Sequence, residues 1–206
     1  MQDRETTAHE IVSMVYDVAA AKTGNYICYL PSYKYLELIA GHFSQLYGGD
    51  VDVVIQSRSM TERERMKFLS EFSPSPSRTR IGFSVLGGVF SEGVDLPGDR
   101  LSGVIIVGVG LPQLSAEQNL ARDYYDRICE RGYEFAYVYP GMNKVLQAAG
   151  RVIRGERDRG VVLLIDDRFG THDYRALFPS HWSALRYVGD RRSLRALLRG
   201  FWDESP

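Results

Sequence analysis

Apolar residues in the first stretch of the chain, residues 8–21, recur at Ile11, Val12, Val15 and Val18. That spacing of three and four lays one face of a helix against a core. Gly24 and Asn25 end the pattern, and the apolar run 26–30 predicts a short strand. Pro31 and Ser32 open a second helical pattern, carried by Tyr35, Leu36, Leu38, Ile39 and Phe43, which stops near Gly48 and Gly49. Residues 51–56 read as a strand. Thr61, with Glu64 three positions later, forms a capping box for a helix over 62–72. The Ser-Pro alternation of 73–77 predicts a rigid surface turn, because the strand pattern resumes at once over 81–86.

A loop over 90–99 leads to the next strand, 104–109. Ser115 caps a helix running to about Arg131, with Leu120, Tyr124 and Ile128 on one side. Further along, the pattern predicts a helix over 141–154, a continuous apolar strand over 161–166, an irregular stretch over 178–182 and an amphipathic helix over 193–202. Strands alternate with helices, and several strands lack a polar face. Such runs belong in a mostly parallel sheet covered on both sides, so residues 1–206 are expected to form one three-layer α/β/α domain.

Composition narrows the class. The 206 residues are 44% hydrophobic and 25% charged, too apolar for disorder. No apolar run approaches the roughly 18 residues of a membrane span. The N-terminus is polar and lacks the apolar segment of a secretory signal, and Cys28 and Cys129 stand far apart, so a cytoplasmic, unstapled protein is expected. His9, His42, His172 and His181 are scattered, and no metal site is expected. The net charge of −1 hides an asymmetry: residues 147–199 hold 11 Arg against 6 acids, with no Lys. Arg suits bidentate recognition of phosphate, and an arginine-rich solvated helix face is the plainer reading of the same residues.

Ligands of parallel α/β sheets sit where strands hand over to helices at their carboxyl ends. Three such segments stand out. Leu30-Pro31-Ser32-Tyr33 offers helix N-terminal amides, a hydroxyl and a stacking ring; an ordinary N-cap with a packed tyrosine would look the same. Residues 90–98 crowd Glu92, Gly93, Asp95, Pro97 and Gly98 into one loop, where glycines admit close backbone approach and carboxylates can accept from sugar hydroxyls. Gln147, Arg151 and Arg154 fall at i, i+4 and i+7 of the helix expected over 141–154, which would align them for a polyphosphate.

Taken in order, SEGVD with LPGDRLSGVIIVGVGLP, then QAAGRVIR with DRGVVLLIDDRF, resemble motifs V and VI of the DinG/XPD (Rad3-like) branch of superfamily 2 helicases. NYICYLPSY similarly resembles the start of that family's second motor domain. The resemblance implies a RecA-like fold and a role as the second motor domain of an ATP-dependent DNA helicase. By this likeness Arg154 is the arginine finger, with Arg151 and Gln147 beside it. Glu92, Gly93 and Asp95 lie against the nucleotide, and Ser32 with Tyr33 follows single-stranded DNA. ATP and Mg2+ would be held at an interface with an N-terminal RecA-like motor domain. That half is not encoded here: no GxxxxGK[ST] occurs, and the lysines are Lys22, Lys34, Lys67 and Lys144. The chain alone is therefore expected to hydrolyse no ATP. One departure is Gln113, where the family often carries Phe after Leu-Pro. A nuclease built on Asp166 and Asp167 lacks a lysine at useful spacing. A non-catalytic interaction module on the same scaffold is the remaining alternative.

Overall fold

The computed structural model describes residues 2–92, 100–153, 158–182 and 185–204. Five strands, β1 (Asn25–Leu30), β2 (Asp52–Ile55), β3 (Arg80–Val85), β4 (Gly103–Val107) and β5 (Val161–Ile165), form one sheet in the order β2-β3-β1-β4-β5. Every pairing is parallel, so "mostly parallel" is sharpened to wholly parallel. The register explains the unbroken apolar runs. Phe83, Cys28, Ile105 and Leu163 line up across four strands and face one core. Ile27, Val104 and Val162, one residue earlier, face the other. Alternate side chains point to opposite faces, and both faces here are dry. Burial also pushes the Cys28 thiol pKa up, which leaves it a packing residue.

The first face is covered by α1 (Gln2–Ala20), α2 (Tyr33–Tyr47) and α8 (Arg191–Asp203), the last inserting Leu194 and Leu198. The second is covered by α3 (Glu62–Ser70), α4 (Val89–Glu92), α6 (Tyr139–Ala149) and α7 (His172–Arg175), the last through Tyr174. The capping box of α3 forms as expected: Glu64 accepts from the Thr61 amide at 2.7 Å while Thr61 accepts from the Glu64 amide. At the other end of the chain, Asp17 of α1 accepts from Arg191 at 2.7 Å and pairs with Arg195 at 3.0 Å, which clasps α8 to α1. Among the described residues no helix is long and apolar enough to cross a membrane.

Two expectations change, and the helix capped by Ser115 shows what its apolar pattern left open. Phe90–Glu92 belong to the short helix α4, and residues 93–99 lie outside the described residues. The helix expected over 141–154 is displaced. A π-helical turn (Glu134–Val138) runs straight into α6, and α6 stops at Ala149. Gly150 is a poor helix former, and the amides of Arg151 and Val152 turn back to Ala148 and Ala149, three residues earlier. Arg151 therefore leaves the helix in a tight turn and is not held in register with Gln147. Finally, α5 (Ala116–Cys129) buries none of its residues. Its apolar side faces solvent, with Leu120 71% and Ile128 62% exposed, because α5 forms a hairpin arm with the π-turn through Tyr125 stacked on Phe135.

Helix α6 approaches the sheet through bare backbone. A Cβ on Gly141 would lie 2.6 Å from the Val109 carbonyl oxygen, and Gly110, at φ +65°, occupies the facing turn. Gly141→Ala is expected to push α6 outward and destabilise the chain by about 1–3 kcal/mol, read as a lowered urea midpoint.

Candidate functional site

Strands β1 and β3 are neighbours, yet α2 leaves β1 over the first face and α4 leaves β3 over the second. Adjacent strands that exit to opposite faces open a crevice at their carboxyl ends. Ser32 with Tyr33 and the β3–α4 turn border it, and α6 reaches it at Lys144, whereas Val152 beyond α6 lies against Gly160 at the amino end of β5.

Ser32 is the N-cap of α2, with extended backbone and a side chain that accepts from the Tyr35 amide at 3.3 Å. Its hydroxyl is thus engaged in capping, while the helix N-terminus it starts faces the crevice. Tyr33 is half-buried and held from two directions. Gln56 donates Nε2 to the Tyr33 hydroxyl at 2.9 Å, and the Arg58 guanidinium lies 5.4 Å from its ring centroid. Arg58 also pairs with Glu37 at 3.8 Å, an exposed bridge that contributes little by itself. Gln56 is only 5% exposed, and its Oε1 accepts the Val85 amide at 2.9 Å. One buried side-chain amide therefore ties the segment after β1 to the last residue of β3. The sequence pattern gave no sign of this, since Gln56 reads as the polar end of a strand.

Beyond Val85 the chain turns through Gly87 and Gly88 into α4. Gly87 has φ +74°, and a Cβ there would meet Lys144 Cδ at 2.6 Å. The Lys144 stem, from α6, thus lies across the turn and carries a cation to it. Glu92 closes α4, and its side chain lies outside the described residues, as do Gly93 and Asp95. On α6, Gln147 is exposed and stands three residues beyond Lys144, so the two share a side of the helix. Arg151 is half-buried in the turn that follows. Arg154 lies outside the described residues. Ser32 with Tyr33, the β3–α4 turn and α6 are thus linked by Gln56 and Lys144.

The other candidates are used structurally. Asp166 N-caps a 3-10 turn and binds Arg168 through both carboxylate oxygens at 2.8 Å, which engages the carboxylate a nuclease would need. His9 and His42 meet with ring centroids 5.1 Å apart across α1 and α2, and no group of three metal-binding side chains forms among the described residues.

Comparison with known proteins adds a family to this geometry. A family model described as "Helicase C-terminal domain" matches residues 15–184. The chain is 26% identical over 178 residues to the XPD helicase subunit of general transcription and DNA repair factor IIH from Dictyostelium discoideum, which covers 81% of this chain and 22% of that protein. Its counterpart from Schizosaccharomyces pombe is 30% identical over 167 residues, 74% of this chain and 21% of that protein. The ATP-dependent DNA helicase DinG from Photobacterium profundum is 38% identical over 96 residues, 45% and 14% of the two chains. A solved XPD helicase structure shares the fold with a TM-score of 0.65 at 20% identity, over 84% of this chain and 30% of that one. The chain spans less than a quarter of the length of each of these three relatives.

Two outcomes are expected. Gln56→Ala removes both bonds, so the Val85 amide should exchange hydrogen markedly faster while the β1–β4 amides stay protected. The cost in stability should be about 1–3 kcal/mol. Separately, burial raises the Asp166 pKa, but the side-chain and backbone bonds from Arg168 outweigh it and hold the carboxyl below its usual value. The stabilisation is complete above the ordinary aspartate pKa and is lost as pH falls through the lowered one. Asp166→Asn should therefore flatten the acid limb of a stability-against-pH curve and leave it unchanged in shape near neutrality.

Proposed function

Because the chain belongs to the helicase C-terminal domain family, we propose that it serves as the second motor domain of an ATP-dependent DNA helicase of the XPD/DinG type. The observation that supports the reading is that Gln56 and Lys144 link Tyr33, the β3–α4 turn that leads into the motif V-like segment, and α6, which leads into the motif VI-like one. ATP is the substrate of the whole protein and supplies the phosphoryl transfer, with Mg2+ neutralising phosphate charge. The residues here suit one side of such a site. Lys144 brings a cation to the crevice, and no cluster of carboxylates that would hold the metal forms among the described residues. The metal-holding acids and the phosphate cradle belong to the N-terminal RecA-like motor domain.

In this reading Arg154 reaches the nucleotide across the interface and stabilises charge on the transferring phosphoryl group, with Arg151 and Gln147 orienting it. Glu92, Gly93 and Asp95 contact the nucleotide, as the resemblance of their segment to motif V implies. Ser32 and the N-terminal amides of α2 receive a phosphate of single-stranded DNA, and Tyr33 offers its ring to a base. Gln56 then gives the two functions a common fixed point: a shift of the β3–α4 turn moves the Val85 amide and, through it, Tyr33. The isolated chain supplies one wall of the active site and has no turnover of its own.

Arg154→Ala in the intact helicase is expected to lower DNA-stimulated ATPase by ~10³ or more while leaving single-strand affinity within a few-fold. Turnover near wild type would overturn the finger assignment. ATP-dependent strand separation by the intact protein would likewise rule out a purely non-catalytic module.

A further inference from the structure

Helix α8 lies beyond the region matched by the family model and at the opposite end of the sheet from the crevice. Its C-terminal end meets Lys22, just before β1, and Arg159, just before β5. Lys22 Nζ lies 4.3 Å from the Trp202 ring centroid, and the Arg159 guanidinium lies 4.6 Å from that of Phe201 and bonds the Phe201 carbonyl. Its N-terminal end is fixed by Asp17, whose side chain is 5% exposed. Together with buried Leu194 and Leu198, these contacts make α8 a rigid element.

The outer face of this helix presents Arg192, Arg195 and Arg199, which line an open depression of about 380 Å3 with Ala196. Arg195 also pairs with Asp17, but Arg192 and Arg199 are exposed and have no acidic partner among the described residues. The helix carries one acid, its last residue Asp203, four positions beyond Arg199, and the two form no ion pair in the structure. Arg192 further stands in the first turn, where the positive end of the helix dipole disfavours a cation. The Asp190 carboxylate at the N-cap offsets part of that cost, and the positive charge left on this exposed face suits an anionic ligand outside the fold.

We propose that the Arg192–Arg195–Arg199 face is a second nucleic-acid contact, which binds the phosphate backbone independently of sequence. Phosphate suits the lining, because guanidinium groups match it bidentately and the residues at i, i+3 and i+7 hold them in a row. An acidic protein partner is disfavoured, since protein interfaces depend on buried aromatic or aliphatic anchors and the depression offers only Ala196 between its arginines. Rigid anchoring lowers the ordering cost of the contact. The site shares with the proposed helicase role only the class of ligand, because it uses none of the crevice residues.

The test uses the 206-residue chain, fluorescein-labelled oligo(dT) and a salt titration. Arg192→Ala/Arg199→Ala should weaken binding and make the slope of log K against log[salt] shallower by about 1.4, the loss of two phosphate contacts to a single strand. The urea midpoint should not move, since neither side chain packs inside the fold. Arg192→Lys/Arg199→Lys should restore most of the slope. Ser32→Ala/Tyr33→Ala in the same assay reports on the crevice alone. An unchanged slope in the Ala/Ala variant overturns the inference, whatever the crevice variant does. Equal competition by a glutamate-rich peptide and by oligo(dT) at matched charge would also overturn it, in favour of an acidic protein ligand.

Discussion

Strand β1 has a hydrogen-bonded neighbour on each side and a helical layer on each face, and all six of its residues are buried. Once NYICYL sits there, no side chain along the strand is available for chemistry. Function is confined to the point where the chain emerges, at Pro31 and Ser32. The same double burial forces the flanking strands to be apolar on both faces and the helices to divide between two layers. Because the helices after β1 and β3 go to different layers, the crevice between them follows from the packing of the sheet. The candidate site is thus a consequence of core burial before any of its own residues is considered.

Holding two loops of such a crevice in fixed relation needs a group that bonds in two directions and tolerates burial. A carboxylate would carry charge into the interior, and a hydroxyl reaches only a short way. The Gln56 side-chain amide is neutral, offers both a donor and an acceptor, and here uses each on a different loop. A buried polar group with both ends satisfied specifies one arrangement, because any displacement leaves a donor or acceptor unpaired. Lys144 does the same for α6 by contact: Gly87 has no Cβ, so the lysine stem can lie across the turn.

Much of this was legible in the sequence wherever local physics decides. Ser32, Thr61 and Ser115 cap their helices as their spacing predicts, since capping is settled within four residues. Apolar runs identified the strands because a two-faced strand carries no alternation. The end of α6 was not legible. Val152 and Ile153 continue a helical apolar pattern past Gly150, although the backbone has already turned there. Nor was the exposed side of α5, as periodicity reports an apolar stripe without saying what covers it. Gln56 and Lys144 escaped for another reason: each acts through a partner about 23 to 57 residues away in sequence, which spacing cannot reveal.

The arginine excess of residues 147–199 can now be divided by where each guanidinium ends. Arg168 closes on Asp166, Arg191 and Arg195 on Asp17, and Arg159 on the carbonyls that end α8. These four are internal fasteners, and each works at a place where a carboxylate or a row of unpaired carbonyls would otherwise lose solvent. Of the others among the described residues, Arg151 lies in the turn after α6, Arg175 and Arg186 are exposed in the stretch after β5, and Arg192 and Arg199 are exposed on α8. A uniform solvated face would spread its positive charge and pair it with acids along the helix. On α8 that pairing is partial: Arg191 and Arg195 share Asp17, while Arg192 and Arg199 form no ion pair among the described residues. The segment that read as one basic region therefore divides into arginines that clamp the fold and exposed arginines, Arg192 and Arg199 among them.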